Sequence, residues 1–307
     1  MSKPKVIVIG GPTASGKTGL SIEIAKKING EIISADSMQI YKYMNIGTAK
    51  VTQEEMQGVN HYLIDIIEPN QRYSVAEFKK DAEEKIEEIL SKGKVPIVVG
   101  GTGLYIDTLI YGIEYPEIEI DLKYRKQLED DIEKHGLNYL YNKASEIDEE
   151  AMKKISVNDK KRIMRVLEIY HSTGKTKTQM EIESRKHEVK YDYRVFAIDM
   201  DRDILYNRIN LRVDEMIKKG LIDEVKEIIK RYDEMPTAMQ GLGYKEVLPY
   251  LDNKITLDEM SEKIKLESRR YAKRQLTWFR KNKNIIWLDG LKSKEDNVNI
   301  VLETIAL

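Results

Sequence analysis

Hydrophobic residues follow two different spacings in the first 110 positions of the chain. Short runs rich in β-branched residues at 5–10, 31–35 and 95–101 predict strands buried on both faces, as in a parallel sheet. Between the last two runs, segment 73–94 places its apolar residues three or four positions apart, which predicts an amphipathic helix. This alternation indicates a parallel sheet covered by helices.

The pattern changes in the middle of the chain. From about Pro116 to Tyr191 the strand signals stop, and the segment is typical of several charged amphipathic helices. Strand-like runs return at 193–200 and near Asn284. A helical block between two α/β portions predicts an insertion into one parallel-sheet domain. We therefore predict a core at 1–116 and 192–307, with a helical insertion domain at 117–191.

The segment at 6–27 combines a strand-like run, two glycines and a helical apolar spacing. From Gly11 to Thr18 it fits Gly-x-x-x-x-Gly-Lys-[Ser/Thr], the pattern of a phosphate-binding loop. The backbone N–H groups of such a loop hold a diphosphate, while its lysine contacts phosphate oxygens and its hydroxyl holds Mg²⁺. The predicted fold class is therefore α/β, with a P-loop NTPase-like parallel-sheet core. The predicted diphosphate-binding residues are Gly11, Pro12, Thr13, Ala14, Ser15, Gly16, Lys17 and Thr18, and Thr18 is also the predicted metal ligand.

The residues predicted near this loop leave its chemistry open. ATP-hydrolysing enzymes bring a strand that ends in an acid, but the run at 95–99 ends in Gly-Gly-Thr at 100–102. Asp36 follows another strand, so we expect it at the same sheet edge as the loop, either as a magnesium ligand or as a helix cap. Arg208 and Arg212 are four positions apart and would share a helix face, and one of them is expected to face the site.

Basic residues are concentrated locally. The chain carries 51 Lys and Arg against 52 Asp and Glu, yet segment 263–283 has nine Lys and Arg, one acid and three aromatic residues. This composition suits a nucleic-acid backbone. The other interpretation is a basic-faced amphipathic helix that packs Leu266, Leu276 and Phe279 inward, and the two interpretations are compatible. A second patch lies in the predicted insertion and consists of Lys160, Lys161, Arg162 and Arg165. Two such patches favour a long polyanion over a small substrate.

The absence of cysteine excludes a disulfide framework, a cysteine nucleophile and a thiolate zinc site. The four histidines show no metal-binding spacing, and we assign them no role; they are His61, His135, His171 and His187. The sequence has no signal-peptide pattern and no apolar run of about 20 residues. We therefore expect a cytoplasmic protein without a membrane contact. We also expect a monomer, because the predicted insertion already supplies a clamp.

Together, these motifs show that the chain resembles the bacterial-type tRNA dimethylallyltransferases, also called tRNA isopentenylpyrophosphate transferases. The matching blocks follow the family order over nearly the whole length, although Val157 stands where many members have proline. They are GPTASGKT at 11–18, SADSMQIYK at 34–42, IGTAK at 46–50, VGGTGLYI at 99–106, NDKKRIMRVLE at 158–168, GLGYKE at 241–246 and AKRQLTWFR at 272–280.

The resemblance implies a particular reaction. The phosphate loop would hold dimethylallyl diphosphate rather than a nucleotide, and the five-carbon group would pass to N6 of the adenosine 3′ of the tRNA anticodon. Asp36 would take the proton from the amine, and Thr102 would help position the reacting centre. Lys17, Arg212 and Mg²⁺ would neutralise the departing diphosphate.

The resemblance also implies contacts with the tRNA anticodon stem-loop. The adenosine would be flipped out of its stack, because N6 cannot be reached inside it. The insertion would grip the stem-loop and the basic C-terminal helix would follow its backbone. The implied tRNA-binding residues are Asp36, Ser37, Met38, Gln39, Arg125, Lys160, Lys161, Arg162, Ile163, Met164, Gly241, Gly243, Tyr244, Lys245, Lys273, Arg274, Gln275 and Arg280.

Two other functions fit parts of the pattern. A nucleotide-dependent small-molecule kinase would bind ATP and ignore tRNA, and the basic segments disfavour it. A non-catalytic RNA-binding P-loop protein would bind RNA without forming product, and its RNA binding would survive Asp36→Asn. The placement of Asp36 and Thr102 near the loop favours catalysis over binding alone.

Overall fold

The structure, a computed structural model of the 307-residue chain, describes residues 3–115, 121–184 and 188–306. The chain divides into two compact units. The core unit comprises residues 1–110 and 190–307, and the helical unit comprises residues 111–189. The predicted insertion, 117–191, differs from the helical unit by a few residues at each end. Residue 117 and His187 lie outside the described residues.

The core unit is built on a sheet whose described strands number six and pair only in parallel. In chain order the strands are β1 (Lys5–Gly10), β2 (Gly30–Ser34), β3 (His61–Tyr62), β4 (Val95–Val99), β5 (Asp192–Asp199) and β6 (Ile286–Asp289). Across the sheet the order is β3-β2-β4-β1-β5-β6. The predicted parallel α/β sheet is confirmed. Only β3 was not predicted, because two residues are too few to show a period.

Helices surround this sheet and make up the helical unit. In chain order the described helices are α1 (Lys17–Ile28), α2 (Gln53–Met56), α3 (Val75–Ser91), α4 (Gly103–Ile110), α5 (Leu122–His135), α6 (Leu137–Ile147), α7 (Glu149–Met152), α8 (Lys160–Thr173), α9 (Lys177–Ser184), α10 (Arg202–Lys218), α11 (Leu221–Arg231), α12 (Leu248–Leu251), α13 (Leu257–Phe279) and α14 (Lys294–Ala306). Helices α5 to α9 belong to the helical unit. None of these described helices combines the length and the apolar character that crossing a membrane requires.

Both faces of the sheet are covered, which explains why its strands are continuously hydrophobic. On one face Val8 packs in a cluster with Phe78 of α3, and on the other Ile7 packs in a cluster with Ile24 of α1. All four side chains are completely buried. Burying a side chain of this kind contributes about 1.5–3 kcal/mol relative to leaving it exposed.

The carboxyl ends of three adjacent strands bring the predicted site residues to one edge of the sheet. Val99, at the end of β4, is paired with Ile9 of β1 and with Ser34 of β2. The segments that follow these strands therefore emerge side by side. The approach is close enough that a Cβ on Gly100 would lie 2.2 Å from the Ala35 carbonyl oxygen, so this position accepts only glycine.

Helix α13 carries the basic segment and has one buried face. The buried residues are Met260, Ile264, Ser268, Ala272, Gln275 and Phe279, spaced three or four apart. Phe279 is buried and Leu276 partly buried, as the amphipathic alternative predicted. The inward packing of Leu266 was predicted wrongly, because Leu266 is offset from the buried face and 39% exposed.

The helical unit has its own core, formed mainly by α5, α6 and α8. Ile163 and Met164 are 0% and 2% exposed within it, because they lie on the inward face of α8. Their side chains therefore do not belong to its surface, contrary to the predicted tRNA contacts. Lys160, Lys161 and Arg162, in the first turn of α8, are exposed.

Candidate active site

The phosphate loop connects β1 to α1 and forms one wall of the site. Gly16 adopts a left-handed conformation with φ of 93°, from which α1 begins at Lys17. Lys17 donates from Nζ to the Pro12 carbonyl oxygen at 2.6 Å. Burial, assisted by the nearby Arg212 charge and opposed by Asp36, lowers the pKa of Lys17 to about 7. The loop thus holds a lysine whose charge changes near neutral pH.

Asp36 begins a tight turn just after β2. Its Oδ1 accepts hydrogen bonds from the backbone N–H groups of Met38 at 2.9 Å and Gln39 at 3.3 Å. One carboxylate oxygen therefore closes a turn. The helix-cap alternative was wrong, because the next described helix after β2 begins only at Gln53. The other oxygen, Oδ2, accepts no hydrogen bond from the residues that the structure describes, and Asp36 lines a cavity.

Thr102 joins the segment after β4 to the Asp36 turn. Its hydroxyl accepts from the Ser37 backbone N–H at 3.1 Å, and its own N–H donates to the Ala35 carbonyl oxygen at 3.3 Å. The Gly-Gly-Thr segment at 100–102 and the turn at 36–39 are therefore held as one piece.

Of the two arginines on α10, one faces the site. Arg212 lines the cavity and directs Nη2 towards the Thr48 carbonyl oxygen at 3.5 Å, while Arg208 is exposed. Helix α10 packs against α13, and of its two arginines only Arg212 lines the cavity.

Two adjoining cavities meet at Asp36. The first, of about 180 Å³, is lined by the phosphate loop, and the second, of about 270 Å³, is lined by more apolar residues from α10, α13 and segment 240–245. The residues that line both are Thr13, Asp36, Thr48, Arg212 and Tyr271. The arrangement provides a cationic compartment and a more apolar one, with a carboxylate between them.

Gln275 is a site residue whose position the sequence misassigned. Predicted to contact tRNA, it is 5% exposed; its Oε1 accepts from the Thr13 backbone N–H and its Nε2 donates to the Gly101 carbonyl oxygen, both at 2.9 Å. Its side chain therefore connects the phosphate loop to the Gly-Gly-Thr segment. The sequence did contain a signal for this position, because Gln275 shares the three- or four-residue spacing of the buried residues on α13.

Tyr271 was not predicted as a site residue. It lies one helical turn before Gln275 and lines both cavities. Burial and the charge of Asp36 raise the pKa of its hydroxyl to about 12, so this hydroxyl stays protonated near neutral pH.

The other predicted tRNA-binding residues of the core unit fall into two groups. Those lining the cavities are Ser37, Met38, Gln39, Gly241, Gly243, Lys245 and Arg274. Lys273 and Arg280 are exposed, and Arg280 lies 3.3 Å from Asp199. Tyr244 is completely buried and donates to Glu224, so its side chain belongs to the interior and not to a tRNA-binding surface.

The helical unit contributes charged residues of its own. Arg125 lies 3.4 Å from the buried Glu168, which Arg165 also approaches at 3.6 Å, so Arg125 is engaged in an internal ion pair. The residues that the structure describes contain no group of three or more His, Cys, Asp or Glu that could bind a metal.

A phosphate loop after β1 and a carboxylate after β2, at one edge of a parallel sheet, define the core unit as a P-loop NTPase-like α/β fold. The model of a family described as IPP transferase matches residues 39–282. The chain belongs to this family and is a prenyltransferase. The resemblance stated from its motifs is confirmed.

Relatives and solved structures agree with this assignment. A tRNA dimethylallyltransferase of Acetivibrio thermocellus is 54% identical over 285 residues, covering 92% of this chain and 91% of the relative. The crystal structure of a tRNA isopentenylpyrophosphate transferase from Bacillus halodurans is 43% identical with a TM-score of 0.74, covering 99% and 96% of the two chains. A eukaryotic dimethylallyltransferase acting on tRNA has a TM-score of 0.80 at 31% identity, covering 99% of this chain and 80% of its own.

Proposed function

We propose that the chain transfers a dimethylallyl group from dimethylallyl diphosphate to N6 of the adenosine 3′ of the tRNA anticodon. The observation that carries this proposal is the meeting of two cavities at Asp36, one lined by a phosphate loop and the other by a mixture of apolar, polar and cationic residues. A diphosphate ester and an acceptor base would enter from opposite sides and react beside this carboxylate.

The first cavity would hold the diphosphate. The backbone N–H groups of loop 11–16 and the N-terminus of α1 favour an anion, and Lys17 and Arg212 add positive charge. As the C–O bond breaks, negative charge accumulates on the leaving diphosphate, and these groups would stabilise it.

Thr18 would hold Mg²⁺ against the diphosphate. Its side chain lines the first cavity, and hydroxyl and phosphate oxygens are ligands that this ion accepts, with water completing its coordination. The bound ion would supply further charge neutralisation on the leaving group. The residues present therefore fit a metal whose ligands come largely from the substrate.

Asp36 would act as the general base. The new bond joins N6 to the allylic carbon, the C–O bond to the diphosphate breaks, and a proton leaves the amine for the free Oδ2 of Asp36. Because Oδ1 is held by two backbone N–H groups, the carboxylate would keep one orientation throughout.

The tRNA would be bound by both units. Residues Ser37, Met38, Gly241, Gly243 and Lys245 line the second cavity and would surround the flipped adenosine. The exposed cations of α8 and α13 would contact phosphates of the anticodon stem-loop.

A transfer assay tests this proposal. Unmodified bacterial tRNA, Mg²⁺ and radiolabelled dimethylallyl diphosphate are incubated with the protein, and a parallel sample contains ATP instead. We expect label at the adenosine next to the anticodon and no phosphoryl transfer from ATP. Unlabelled tRNA together with ATP turnover would contradict the proposal and favour a kinase.

A further inference from the structure

Glu224 on α11 binds the backbone of a loop that runs over residues 44–50. Its Oε2 accepts from the N–H groups of Asn45 at 2.8 Å and Ile46 at 2.7 Å, and its Oε1 accepts from Gly47 N–H at 3.0 Å. One carboxylate thus satisfies three consecutive backbone donors contributed by a segment nearly 180 residues away in sequence. Hydrogen bonds to an ionised acceptor are about twice as strong as neutral ones.

The same carboxylate also binds the segment after α11. The Tyr244 hydroxyl donates to Glu224 Oε1 at 2.6 Å, and burial together with the Glu224 charge raises the pKa of this hydroxyl, which keeps it a donor. The Tyr244 ring packs directly on the loop, since a Cβ on Gly47 would lie 2.4 Å from it. Glu224 therefore holds loop 44–50 and the 241–245 segment together.

Both held segments form walls of the active site, whereas Glu224 lines neither cavity. Gly47 and Thr48 line the second cavity, as does Gly241. The Thr48 carbonyl oxygen is the acceptor for Arg212 at 3.5 Å, and it also accepts from Gln39 Nε2 at 3.3 Å. A shift of this loop would therefore displace the partner of a cation that faces the diphosphate compartment.

We propose that Glu224 is a positioning residue for prenyl transfer, acting through loop 44–50 on Arg212. Its carboxylate fixes the direction of three backbone N–H groups, and this in turn fixes where the Thr48 carbonyl oxygen lies. The proposal rests on the proposed function for its effect on catalysis, but the ordering of the loop stands on the geometry alone.

The first test measures the loop without reference to activity. In Glu224→Gln an NH₂ group replaces one oxygen, so at least one backbone N–H loses its acceptor. Hydrogen exchange, followed by mass spectrometry on peptides covering 44–50, is expected to accelerate about tenfold or more relative to wild type, with the sheet unchanged. Glu227→Gln, an exposed position on the same helix, is the matched control and is expected to leave exchange unchanged. Unchanged exchange in Glu224→Gln would overturn the proposal.

The second test links the loop to Arg212. Transfer rates are measured for Glu224→Gln, Arg212→Ala and the double variant, and each single change is expected to reduce kcat by about tenfold to a hundredfold. Because Glu224 acts through Arg212, the double variant should be little slower than Arg212→Ala. Additive losses would mean that Glu224 only supports the fold, and would overturn the proposal. If wild type itself transfers no label, the proposed function fails, while the exchange experiment still decides whether Glu224 orders the loop.

Discussion

Strand β2 has a carboxylate near each end, and the two are treated in opposite ways. At its amino end Glu31 is 1% exposed and accepts hydrogen bonds from Lys94 at 2.7 Å, Asn60 at 2.7 Å and Tyr62 at 2.8 Å. Beyond its carboxyl end, Asp36 uses one oxygen for a turn and leaves the other without a hydrogen bond from the described residues. The satisfied carboxylate serves stability, and the half-satisfied one is available for chemistry.

The two ends of the strand also differ in how their charges respond to pH. Burial alone would raise the pKa of Glu31, but hydrogen bonds from Lys94, Tyr62 and Asn60 outweigh it and lower the pKa to about 2. Near Asp36, burial and Arg212 lower the pKa of Lys17 to about 7. Glu31 therefore keeps its charge at neutral pH, while Lys17, which lines the same cavity as Asp36, titrates there.

Replacing Asp36, the proposed general base, should give the largest difference between the two ends of β2. Asp36→Asn retains an oxygen for the turn but cannot take up a proton, so we expect the transfer rate to fall by about 10²- to 10⁴-fold. Single-turnover kinetics with labelled dimethylallyl diphosphate measures the rate. Thermal unfolding and tRNA affinity serve as controls and should change little; an equal loss of tRNA affinity would mean that Asp36 holds the RNA instead.

The opposite result is expected at Glu31. Glu31→Gln leaves Lys92 and Lys94 without their shared carboxylate, and we expect the free energy of unfolding to decrease by about 2–3 kcal/mol, as judged by urea denaturation. Transfer activity of the folded enzyme should be unaffected. A large change in kcat with unchanged stability would reverse the roles assigned to the two ends.

The stability lost in Glu31→Gln should depend on pH, which tests whether the charge of Glu31 is its cause. Because the pKa of Glu31 is lowered from 4.5 to about 2 in the folded protein, its stabilisation is complete above pH 4.5 and disappears as the pH falls towards 2. The stability difference between wild type and Glu31→Gln should therefore shrink over this range. A difference that stayed constant would show that the carboxylate charge is not the cause.

A smaller effect is expected at Lys17. Diphosphate binds the protonated form of Lys17 more tightly than the neutral form. The affinity of the protein for diphosphate should therefore fall by up to about tenfold per pH unit above pH 7. Calorimetry with inorganic diphosphate measures this affinity. Lys17→Arg is the matched control. Its arginine stays charged over this range, and the ionisation of the diphosphate itself affects both proteins equally. Parallel pH profiles for the two proteins would contradict the lowered pKa.

The smallest effect is expected for a single surface charge of the helical unit. Lys161→Ala should weaken tRNA binding a few-fold and reduce the slope of log affinity against log salt by about 1. Lys126→Ala removes the same charge from another exposed position of the helical unit and is the control. Equal changes in both variants would indicate general electrostatic attraction instead of a phosphate contact at Lys161.

Local sequence was sufficient to predict the parts of the site that directly follow strands. The phosphate loop has its own motif, and the rule that parallel strands end at one edge was enough to bring Asp36 and Thr102 to it. Five strands were found because their short runs, rich in β-branched or other apolar residues, carry a recognisable pattern. The two residues of β3 do not.

Side-chain direction within a helix was harder to predict. Ile163, Met164 and Gln275 lie within motifs of the family, but a motif does not show which helical face is buried. Glu224 could not be recognised at all, because its partners are backbone N–H groups distant in the chain and backbone groups leave no trace in sequence. Polar side chains that organise a site from outside it are therefore what sequence reasoning misses most easily.

The glycine after β4 has a consequence for how this fold can diversify. ATP-hydrolysing P-loop enzymes carry an acid that follows a strand beside the loop, but any side chain at Gly100 would collide with the Ala35 carbonyl oxygen. A single substitution therefore cannot install a water-activating carboxylate at that position without first separating β2 from β4. The close backbone contact therefore keeps a carboxylate out of this position beside the phosphate loop, and it closes one evolutionary route from prenyl transfer to nucleotide hydrolysis.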